Sequence, residues 1–374
     1  MSFKALDKAL GEAAAANIVP GFVAMATYPE GREYLRAYGR RSAADPAPMM
    51  ADTIFWIASF TKLVTTVAAL QLVDEGRLDL DRTVASILPD FADLPILEGH
   101  DADGKAIVRA ATDAPTVRHL LTHTSGLGYT FMDADLAKYA EDNGIGPAEA
   151  RKLPRRFEAG ARWHYGVGID WAGAVIEAIT GKGLDAVFQS GILDPLAMTD
   201  TTFALTEAQT ARRAAVHARL PDASCLPIEF NMPPPPNFSL GGGGLYSTAP
   251  DYMKLLRAIL DGRILSDASR ALLFANQIGD VHAGVITSSS AAFTNDFELF
   301  PGAPKRWSLG LLLNVDEGPD GRSAGSGAWA GLANCYYWLD PKNGVAALIL
   351  TQILPFADPV VLDLAARFET AVYA

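Results

Sequence analysis

Residues 55–62 of the chain read FWIASFTK and place Ser59 three positions before Lys62. Residues three apart lie on one face of an α-helix, so the lysine amine can point at the serine hydroxyl. A serine hydroxyl is a weak nucleophile until a nearby base takes its proton. If the serine opens the helix, the unpaired amides there also favour the oxyanion that forms during attack. This stretch therefore predicts that Ser59 is a nucleophile and that Lys62 is its base.

The next segment, residues 63–73, reads LVTTVAALQLV and has almost no polar face. Such a sequence is typical of a buried helix, and Gly76 suits its C-terminal cap. A lysine at the start of a buried apolar helix is costly unless it has a partner or is neutral. The setting of Lys62 thus favours a chemical role over a solvated surface position.

The composition is that of an acidic globular protein, and it argues against several classes of partner. The chain has 374 residues, a formal net charge of −12 and 49% hydrophobic residues, which fits one large core or two domains. Nucleic acid and anionic membranes are disfavoured as partners because their phosphates would be repelled. Residues 1–10 predict an amphipathic helix rather than an apolar signal or membrane span, so we expect a cytoplasmic protein.

The cysteines and histidines do not indicate a metal site. The two cysteines, Cys225 and Cys335, show no pattern typical of a disulfide framework or a zinc site, and Cys335 lies in an apolar run typical of a core strand. The six histidines lack a metal-ligand spacing such as His-Glu-x-x-His. We therefore expect no metal and no cofactor.

The strand signals lie at the two ends of the chain. Strands are predicted over residues 21–27, 32–38, 307–315, 332–340 and 345–352, and a last helix over 359–372. If strands from both ends pair, they form an antiparallel sheet covered by the terminal helices. The expected fold class is α+β. It has a sheet domain from residues 1–85 and 240–374, a mostly helical domain inserted at 86–239, and the active site at their interface.

The middle of the chain is rich in helix and loop signals. Helices are predicted from Pro115 through Leu121 and over residues 170–180. Residues 232–237 read MPPPPN and predict an extended polyproline segment, either a rigid connector or a ligand for a proline-recognising partner. The four glycines at 241–244 lack the spacing and the lysine of a phosphate-binding loop, so they predict a tight turn.

A tyrosine close to the serine and lysine could share or relay their proton. Tyr165 is one candidate, because it immediately precedes the amphipathic helix predicted over 170–180. Sequence spacing alone cannot bring Tyr165 to Ser59, and a buried tyrosine is more often a core residue with a satisfied hydroxyl. Both interpretations of Tyr165 stay open on the residues alone.

Four motifs together resemble the serine β-lactamase and penicillin-binding-protein superfamily. Residues 55–62 resemble its nucleophile motif, and Tyr165-Gly166-Val167 resembles its Tyr-x-Asn or Tyr-x-Ser element. Residues 120–127, LLTHTSGL, and 242–249, GGGLYSTA, are similar to scaffold signatures of the group. The resemblance runs over nearly the full length and is greatest to the class C-like carboxylesterases, often called family VIII esterases.

This resemblance implies a fold and a set of roles. The fold would be β-lactamase/transpeptidase-like, with an antiparallel sheet flanked by helices and a mostly helical second domain. Ser59 would be acylated, Lys62 would activate it, and Tyr165 would pass protons to the leaving group and help to activate the deacylating water. The backbone amides of Ser59 and Leu332 would form the oxyanion hole.

Residues 329–331, Trp-Ala-Gly, fall where β-lactamases carry Lys-Thr-Gly. The related esterases likewise have Trp-x-Gly here, so Trp329 and Gly331 would contact the substrate. Trp329 replaces a cationic dock for a substrate carboxylate with an apolar wall, unless it is an aromatic that only packs. Val167 stands where β-lactamases place an asparagine. Both departures favour neutral esters with apolar tails.

Two histidines lie near these motifs. His123 is part of the scaffold signature, and we interpret it as a hydrogen-bonded structural residue rather than a catalytic base. His164 adjoins Tyr165, so we expect it to line the cleft and contact the substrate.

The leading hypothesis is a serine carboxylesterase that hydrolyses short-chain carboxylic esters through an acyl-Ser59 intermediate. Acyl transfer to an alcohol or an amine is the nearest alternative, followed by amide or β-lactam hydrolysis. A binding protein with the same fold and a dead site is the non-enzyme alternative. The intact set of Ser59, Lys62 and Tyr165 disfavours that last possibility. The expected partner is a small-molecule ester, and the oligomeric state is left open.

Overall fold

A computed structural model of the chain describes residues 3–15, 18–230 and 240–374. Its strands are β1 (Gly21–Thr27), β2 (Glu33–Ser42), β3 (Asp45–Pro48), β4 (Phe55–Trp56), β5 (Ile96–His100), β6 (Ala106–Arg109), β7 (His217–Arg219), β8 (Cys225–Pro227), β9 (Tyr246–Ser247), β10 (Val285–Ile286), β11 (Phe297–Glu298), β12 (Lys305–Trp307), β13 (Leu312–Asn314), β14 (Gly327–Gly331), β15 (Cys335–Asp340), β16 (Val345–Leu350) and β17 (Ile353–Leu354). The polyproline segment predicted at 232–237 lies outside the described residues.

The helices of the same residues are α1 (Phe3–Ala15), α2 (Thr61–Asp74), α3 (Val117–Leu121), α4 (Ala134–Asp142), α5 (Gly168–Thr180), α6 (Leu184–Phe188), α7 (Glu207–Thr210), α8 (Ala249–Leu260), α9 (Asp267–Leu273) and α10 (Pro359–Tyr373). None of these helices is long and apolar enough to cross a membrane.

The two ends of the chain form one antiparallel sheet, as the strand signals predicted. The order within the described chain is β12-β13-β14-β15-β16-β1-β2-β3. The N-terminal and C-terminal parts join where Val23 of β1 lies opposite Leu350 of β16. Strands β1, β14, β15 and β16 are buried along their whole length. Burial on both faces explains why these strands are apolar runs without alternation.

Helices cover both faces of this sheet. On β15, Tyr337 packs on Tyr252 of α8, whereas the next residue, Trp338, packs on Phe368 of α10. Successive strand residues point to opposite faces, so α8 and α10 lie on opposite sides. The α+β class predicted from the sequence is therefore confirmed.

Two of the predicted strands include a turn. The run 307–315 ends one strand at Trp307 and begins the next at Leu312, with a turn at Gly310, whose φ is +92°. The run 332–340 likewise begins in a turn, since β14 ends at Gly331 and β15 begins at Cys335. The prediction was wrong here because these turns contain the apolar residues Leu309, Leu311 and Ala333, which are fully buried like the strand residues beside them.

Helix α2 joins the sheet to the helical part of the chain. All but three of its residues are buried, as predicted, and it packs against α5 and α6. Residues 86–239, as far as they are described, hold α3 to α7 and the short pairs β5–β6 and β7–β8. The division into two domains at these boundaries stays a prediction.

Candidate active site

Ser59 lies in a short 3-10 helix, Ala58–Phe60, directly before α2. Ala58 has a φ of +44°, a left-handed conformation that non-glycine residues adopt at a cost. Thr61 holds this conformation, because its hydroxyl donates to the Ala58 carbonyl (2.7 Å) and accepts from the Leu245 amide (3.1 Å). The chain thus presents Ser59 at the start of the helix and on the wall of a cavity.

Lys62 is fully buried and its amine has three oxygen partners. The Nζ lies 3.1 Å from Ser59 Oγ, 3.0 Å from the Tyr129 hydroxyl and 2.6 Å from the Gly242 carbonyl. These match the three donors of a protonated lysine. The Gly242 carbonyl can only accept, so one N–H of the amine must donate to it. If the amine acts as a base, its lone pair must therefore face the hydroxyl of Ser59 or of Tyr129. The structure therefore brings Ser59 and Lys62 together as their spacing predicted.

The ring of Tyr165, rather than its hydroxyl, lies beside the Lys62 amine. The Lys62 Nζ is 4.9 Å from the centre of the Tyr165 ring. Among the described residues, the Tyr165 hydroxyl makes no hydrogen bond with Ser59 or Lys62, and it accepts one from Trp329 Nε1 at 3.0 Å. An oxygen that accepts from an indole still has its own proton to donate. The sequence-predicted tyrosine is thus in the site, with its proton available to the cavity.

Tyr129 is the site residue that the sequence analysis missed. Its hydroxyl is hydrogen-bonded to Lys62, a contact that spans 67 residues along the chain. Burial raises the pKa of Tyr129 well above its usual value, and the nearby Asp170 carboxylate adds to this shift. The tyrosine is therefore neutral at pH 7. A usable signal was its position two residues after the scaffold signature at 120–127.

Asp170, in the first turn of α5, is a buried carboxylate on the wall of the cavity. Burial raises its pKa, and the charge of Lys62 opposes that shift. Its Oδ1 accepts from the Gly242 amide at 2.9 Å, while the carbonyl of Gly242 faces Lys62. A Cβ at position 242 would lie 2.3 Å from Asp170 Oδ2, so only glycine fits between them. The predicted glycine turn therefore also anchors the lysine.

His123 supports Tyr165 from behind. Its carbonyl accepts from the His164 amide (2.8 Å), its Nδ1 accepts from the Gly166 amide (3.4 Å), and its ring packs 4.7 Å from the Tyr165 ring. Burial lowers its pKa well below the usual value, and the Lys62 charge lowers it further. His123 thus has a neutral, enclosed imidazole and accepts hydrogen bonds from the backbone amides on both sides of Tyr165. These contacts fit the predicted structural role.

His164 does not lie among the residues that line the cavity, contrary to the prediction. Its Nε2 lies 3.4 Å from Asp133 Oδ2, behind the cavity wall. Neighbouring residues in an extended segment point to opposite sides, so a residue adjacent to Tyr165 faces away from the cavity that Tyr165 faces. The expectation that His164 lines the cavity was wrong, whereas its contact with a substrate stays a prediction.

The end of β14 closes the other side of the site. Trp329, Gly331 and Leu332 all line the cavity that contains Ser59. A Cβ at position 331 would lie 2.6 Å from the Ile57 carbonyl, so this glycine allows the strand end to approach the serine segment. Leu332 follows the strand in a turn rather than continuing it. The oxyanion hole at the amides of Ser59 and Leu332 remains a prediction that this proximity favours.

The cavity has a volume of about 640 Å³. Most of its wall is aromatic or aliphatic, and none of the described residues on it is a lysine, an arginine or a histidine. Besides the tyrosines, the ionisable side chain among the described lining residues is Asp170. Its apolar wall includes Trp56, Phe131, Phe230, Phe293, Trp329 and Phe356.

A serine and a lysine at the start of a buried helix, between an antiparallel sheet and a helical region, define the serine β-lactamase and transpeptidase class. Comparison with known proteins agrees with this assignment. The family model described as Beta-lactamase matches residues 6–372, and the chain belongs to that family.

Fungal enzymes are among its relatives. The chain is 34% identical to a monacolin J acid methylbutanoyltransferase of Aspergillus terreus, over 99% of this chain and 95% of the relative. It is 31% identical to a lovastatin esterase of Penicillium rubens, over 95% and 94% of the two chains. The solved structure of simvastatin synthase from Aspergillus terreus matches with a TM-score of 0.87 and 33% identity, over 99% and 97% of the two chains.

These matches confirm the resemblance seen in the sequence and the β-lactamase/transpeptidase-like fold class. The chain is an enzyme of the serine β-lactamase fold family, a hydrolase or an acyltransferase.

Proposed function

We propose that the chain is a serine carboxylesterase that cleaves uncharged esters through an acyl-Ser59 intermediate. The observation that carries this proposal is the 3.1 Å contact between Ser59 Oγ and the Nζ of a fully buried Lys62. A nucleophile held against a buried base on the wall of an apolar cavity is the arrangement that acyl transfer needs.

The reaction begins when Ser59 Oγ attacks the ester carbonyl carbon and its proton moves to the Lys62 amine. The resulting ammonium has three N–H groups, and Tyr129 and Gly242 already accept two of them. Amides of Ser59 and Leu332 stabilise the oxyanion, and each such donor is worth about 3–4 kcal/mol. Tyr165 donates its proton to the departing alkoxide. The Tyr165 phenolate then takes a proton from the water that attacks the acyl-serine, and Lys62 returns its proton to Ser59 Oγ as this oxygen leaves, which restores all three residues.

The charges of the cavity support an uncharged substrate. Trp329 stands where a cationic side chain would be needed to bind a carboxylate. None of the described residues that line the cavity is a cation. An anion left without a partner near apolar side chains is strongly disfavoured. A penicillin or a cephalosporin should therefore bind poorly, which makes amide and β-lactam hydrolysis weaker alternatives.

Acyl transfer to an alcohol is the second candidate, and two observations favour it. One of the relatives is named as a methylbutanoyltransferase and another as an esterase, so both outcomes occur among similar proteins. The cavity also exceeds the size of a short acyl group, which leaves room for an acceptor beside the acyl-serine. An inactive binding protein is the remaining alternative, and the intact contacts of Lys62 oppose it.

Turnover of p-nitrophenyl butyrate tests the proposal. We expect the wild type and Ser190→Ala, a change at an exposed serine outside the cavity, to hydrolyse this ester, and Ser59→Ala and Lys62→Ala to lose nearly all activity. Ser59→Ala with unchanged activity, or a wild type without esterase activity, would contradict the proposal. Product analysis with a primary alcohol present then measures the partition between hydrolysis and transfer.

The cytoplasmic location inferred from the sequence remains part of the proposal. Fractionation of the producing cells, with a cytoplasmic marker enzyme as reference, tests it.

A further inference from the structure

The cavity is much larger than a short-chain ester requires. At about 30 Å³ for each water-sized group, its 640 Å³ corresponds to roughly twenty non-hydrogen atoms. A simple alkyl butyrate fills less than half of that space. A pocket of this size ordinarily holds a ligand with a sizeable apolar body.

The extra space lies against α4 and the 3-10 helix Pro147–Lys152. We call this part the alanine chamber, and its wall is formed by Met132, Ala137, Ala140, Ile145, Pro147 and Ala150. Ala137 and Ala140 are three positions apart and so lie on one face of α4. A helix that packs on a core usually carries larger apolar residues on that face. Small side chains here leave space beside the catalytic serine rather than filling it.

A network of ion pairs fixes the wall of the chamber in place. The Asp133 side chain caps α4 by accepting from the Leu136 amide at 3.1 Å. Arg156 donates to the other oxygen of Asp133 at 2.9 Å and to the Leu97 carbonyl at 2.6 Å, and it also pairs with Asp135. These contacts fix the start of α4 to Arg156 and, through it, to Leu97 of β5. Because these contacts fix α4, the chamber has its shape before a ligand binds. This lowers the conformational free-energy cost of binding.

We propose that the alanine chamber binds an uncharged apolar group about as long as an octyl chain, carried by the ester that reaches Ser59. This inference rests on the proposed esterase function and narrows its substrate class. The chamber residues contain no ionisable group, which excludes a charged tail there. The group belongs either to the acyl part or to the alcohol part of the ester, because both extend from the same carbonyl carbon.

Two substitutions should reduce the volume of the alanine chamber, and one matched substitution should leave that volume unchanged. Ala137→Phe and Ala140→Leu put larger side chains on the chamber wall. Ala134→Phe lies on the same helix, is exposed and does not line the cavity, so it controls for the effect of an aromatic residue in α4. Circular dichroism and thermal melting establish that each variant is folded.

The assay compares long and short esters on both sides of the carbonyl. The acyl series pairs p-nitrophenyl octanoate with the acetate, and the alcohol series pairs octyl butyrate with methyl butyrate. In one series at least, we expect the wild type to prefer the long ester by tenfold or more in kcat/KM, as apolar pockets discriminate by about this much. Ala137→Phe and Ala140→Leu should remove most of that preference, whereas Ala134→Phe should keep it. The series that responds identifies which part of the ester enters the chamber.

Three results would overturn the inference. They are a wild type that prefers the short ester in both series, variants that slow long and short esters equally, and an Ala134→Phe control that behaves like Ala137→Phe. Binding of 1-octanol, followed by tryptophan fluorescence, needs no turnover and separates this inference from the esterase proposal. Weaker octanol binding by Ala137→Phe supports the chamber even if no ester is cleaved, and equal binding by all variants contradicts it.

Discussion

Replacing Tyr129 by phenylalanine tests the part of the site that the sequence did not indicate. The substitution removes a single hydroxyl, which lies 3.0 Å from Lys62 Nζ, and keeps the ring. Tyr129 packs on Phe131 with ring centres 5.0 Å apart, so the phenylalanine ring has the same contact. The change should therefore leave the fold intact.

The magnitude follows from the charge that forms during attack. When Lys62 takes the serine proton, its ammonium needs three acceptors, and phenylalanine removes one of them. A hydrogen bond to a charged group contributes about 1.5–3 kcal/mol. In the proposed mechanism this ammonium forms as Ser59 attacks, so the loss appears in kcat. We expect kcat to fall roughly 10- to 150-fold with KM nearly unchanged.

The assay is steady-state hydrolysis of p-nitrophenyl butyrate by Tyr129→Phe, by Tyr165→Phe and by Tyr139→Phe. Tyr139 lies on α4, does not line the cavity and serves as the matched control. Tyr165→Phe should cost roughly 10²–10⁴-fold in kcat, the usual range for a positioned proton donor. Wild-type kcat in Tyr129→Phe would refute the role assigned to this hydroxyl. A larger loss in Tyr129→Phe than in Tyr165→Phe would reverse the roles of the two tyrosines.

Three further predictions concern specificity, the lysine anchor and acid stability. Nitrocefin should have a much lower kcat/KM than p-nitrophenyl butyrate, and equal efficiency would show that Trp329 does not exclude carboxylates. Gly242→Ala should unfold at a lower temperature and lose esterase activity, since its Cβ meets the Asp170 carboxylate; a fully active variant would contradict this. Arg155 holds the pKa of Asp113 far below its usual value, though burial opposes the shift. Urea unfolding of Asp113→Asn should show a loss of about 2–4 kcal/mol at pH 7, discounted because the carboxylate is 21% exposed.

The pH dependence of that last effect has a definite sign. A carboxyl whose pKa is lowered in the folded state stabilises the fold above its ordinary pKa, near 4, and loses this contribution as the pH falls through the lowered value. The stability difference between the wild type and Asp113→Asn should therefore be complete at pH 7 and shrink below about pH 4. A difference that grows on acidification would contradict the assignment of Arg155 as the partner of Asp113.

Local spacing was enough to predict the serine and lysine. Ser59 and Lys62 are one helical turn apart, so their contact depends only on the helix that contains them. Strand β1 was predicted with its observed bounds, Gly21–Thr27, for a similar reason. Its apolar run is bordered by turn residues that stop it on both sides.

Contacts between distant segments could not be predicted from local sequence patterns. Tyr129 and Gly242 lie 67 and 180 residues from Lys62 along the chain, and although both lie in or near scaffold signatures, no local pattern shows that they meet the lysine. Asp170 was seen only as the start of a helix, since its role depends on the amide of Gly242. His164 was wrongly assigned to the cleft because closeness in sequence to Tyr165 does not determine which side of the chain a residue faces.

Acylation of Ser59 is the central event of the proposed mechanism, and mass spectrometry of the trapped intermediate tests it most directly. The protein is mixed with p-nitrophenyl butyrate, quenched in acid during turnover and digested with trypsin. We expect one butyryl group on the peptide 42–62, with fragment ions that assign it to Ser59 rather than Ser42, and no adduct in Ser59→Ala. A butyryl group on another residue, or ester turnover by Ser59→Ala at the wild-type rate, would contradict the account.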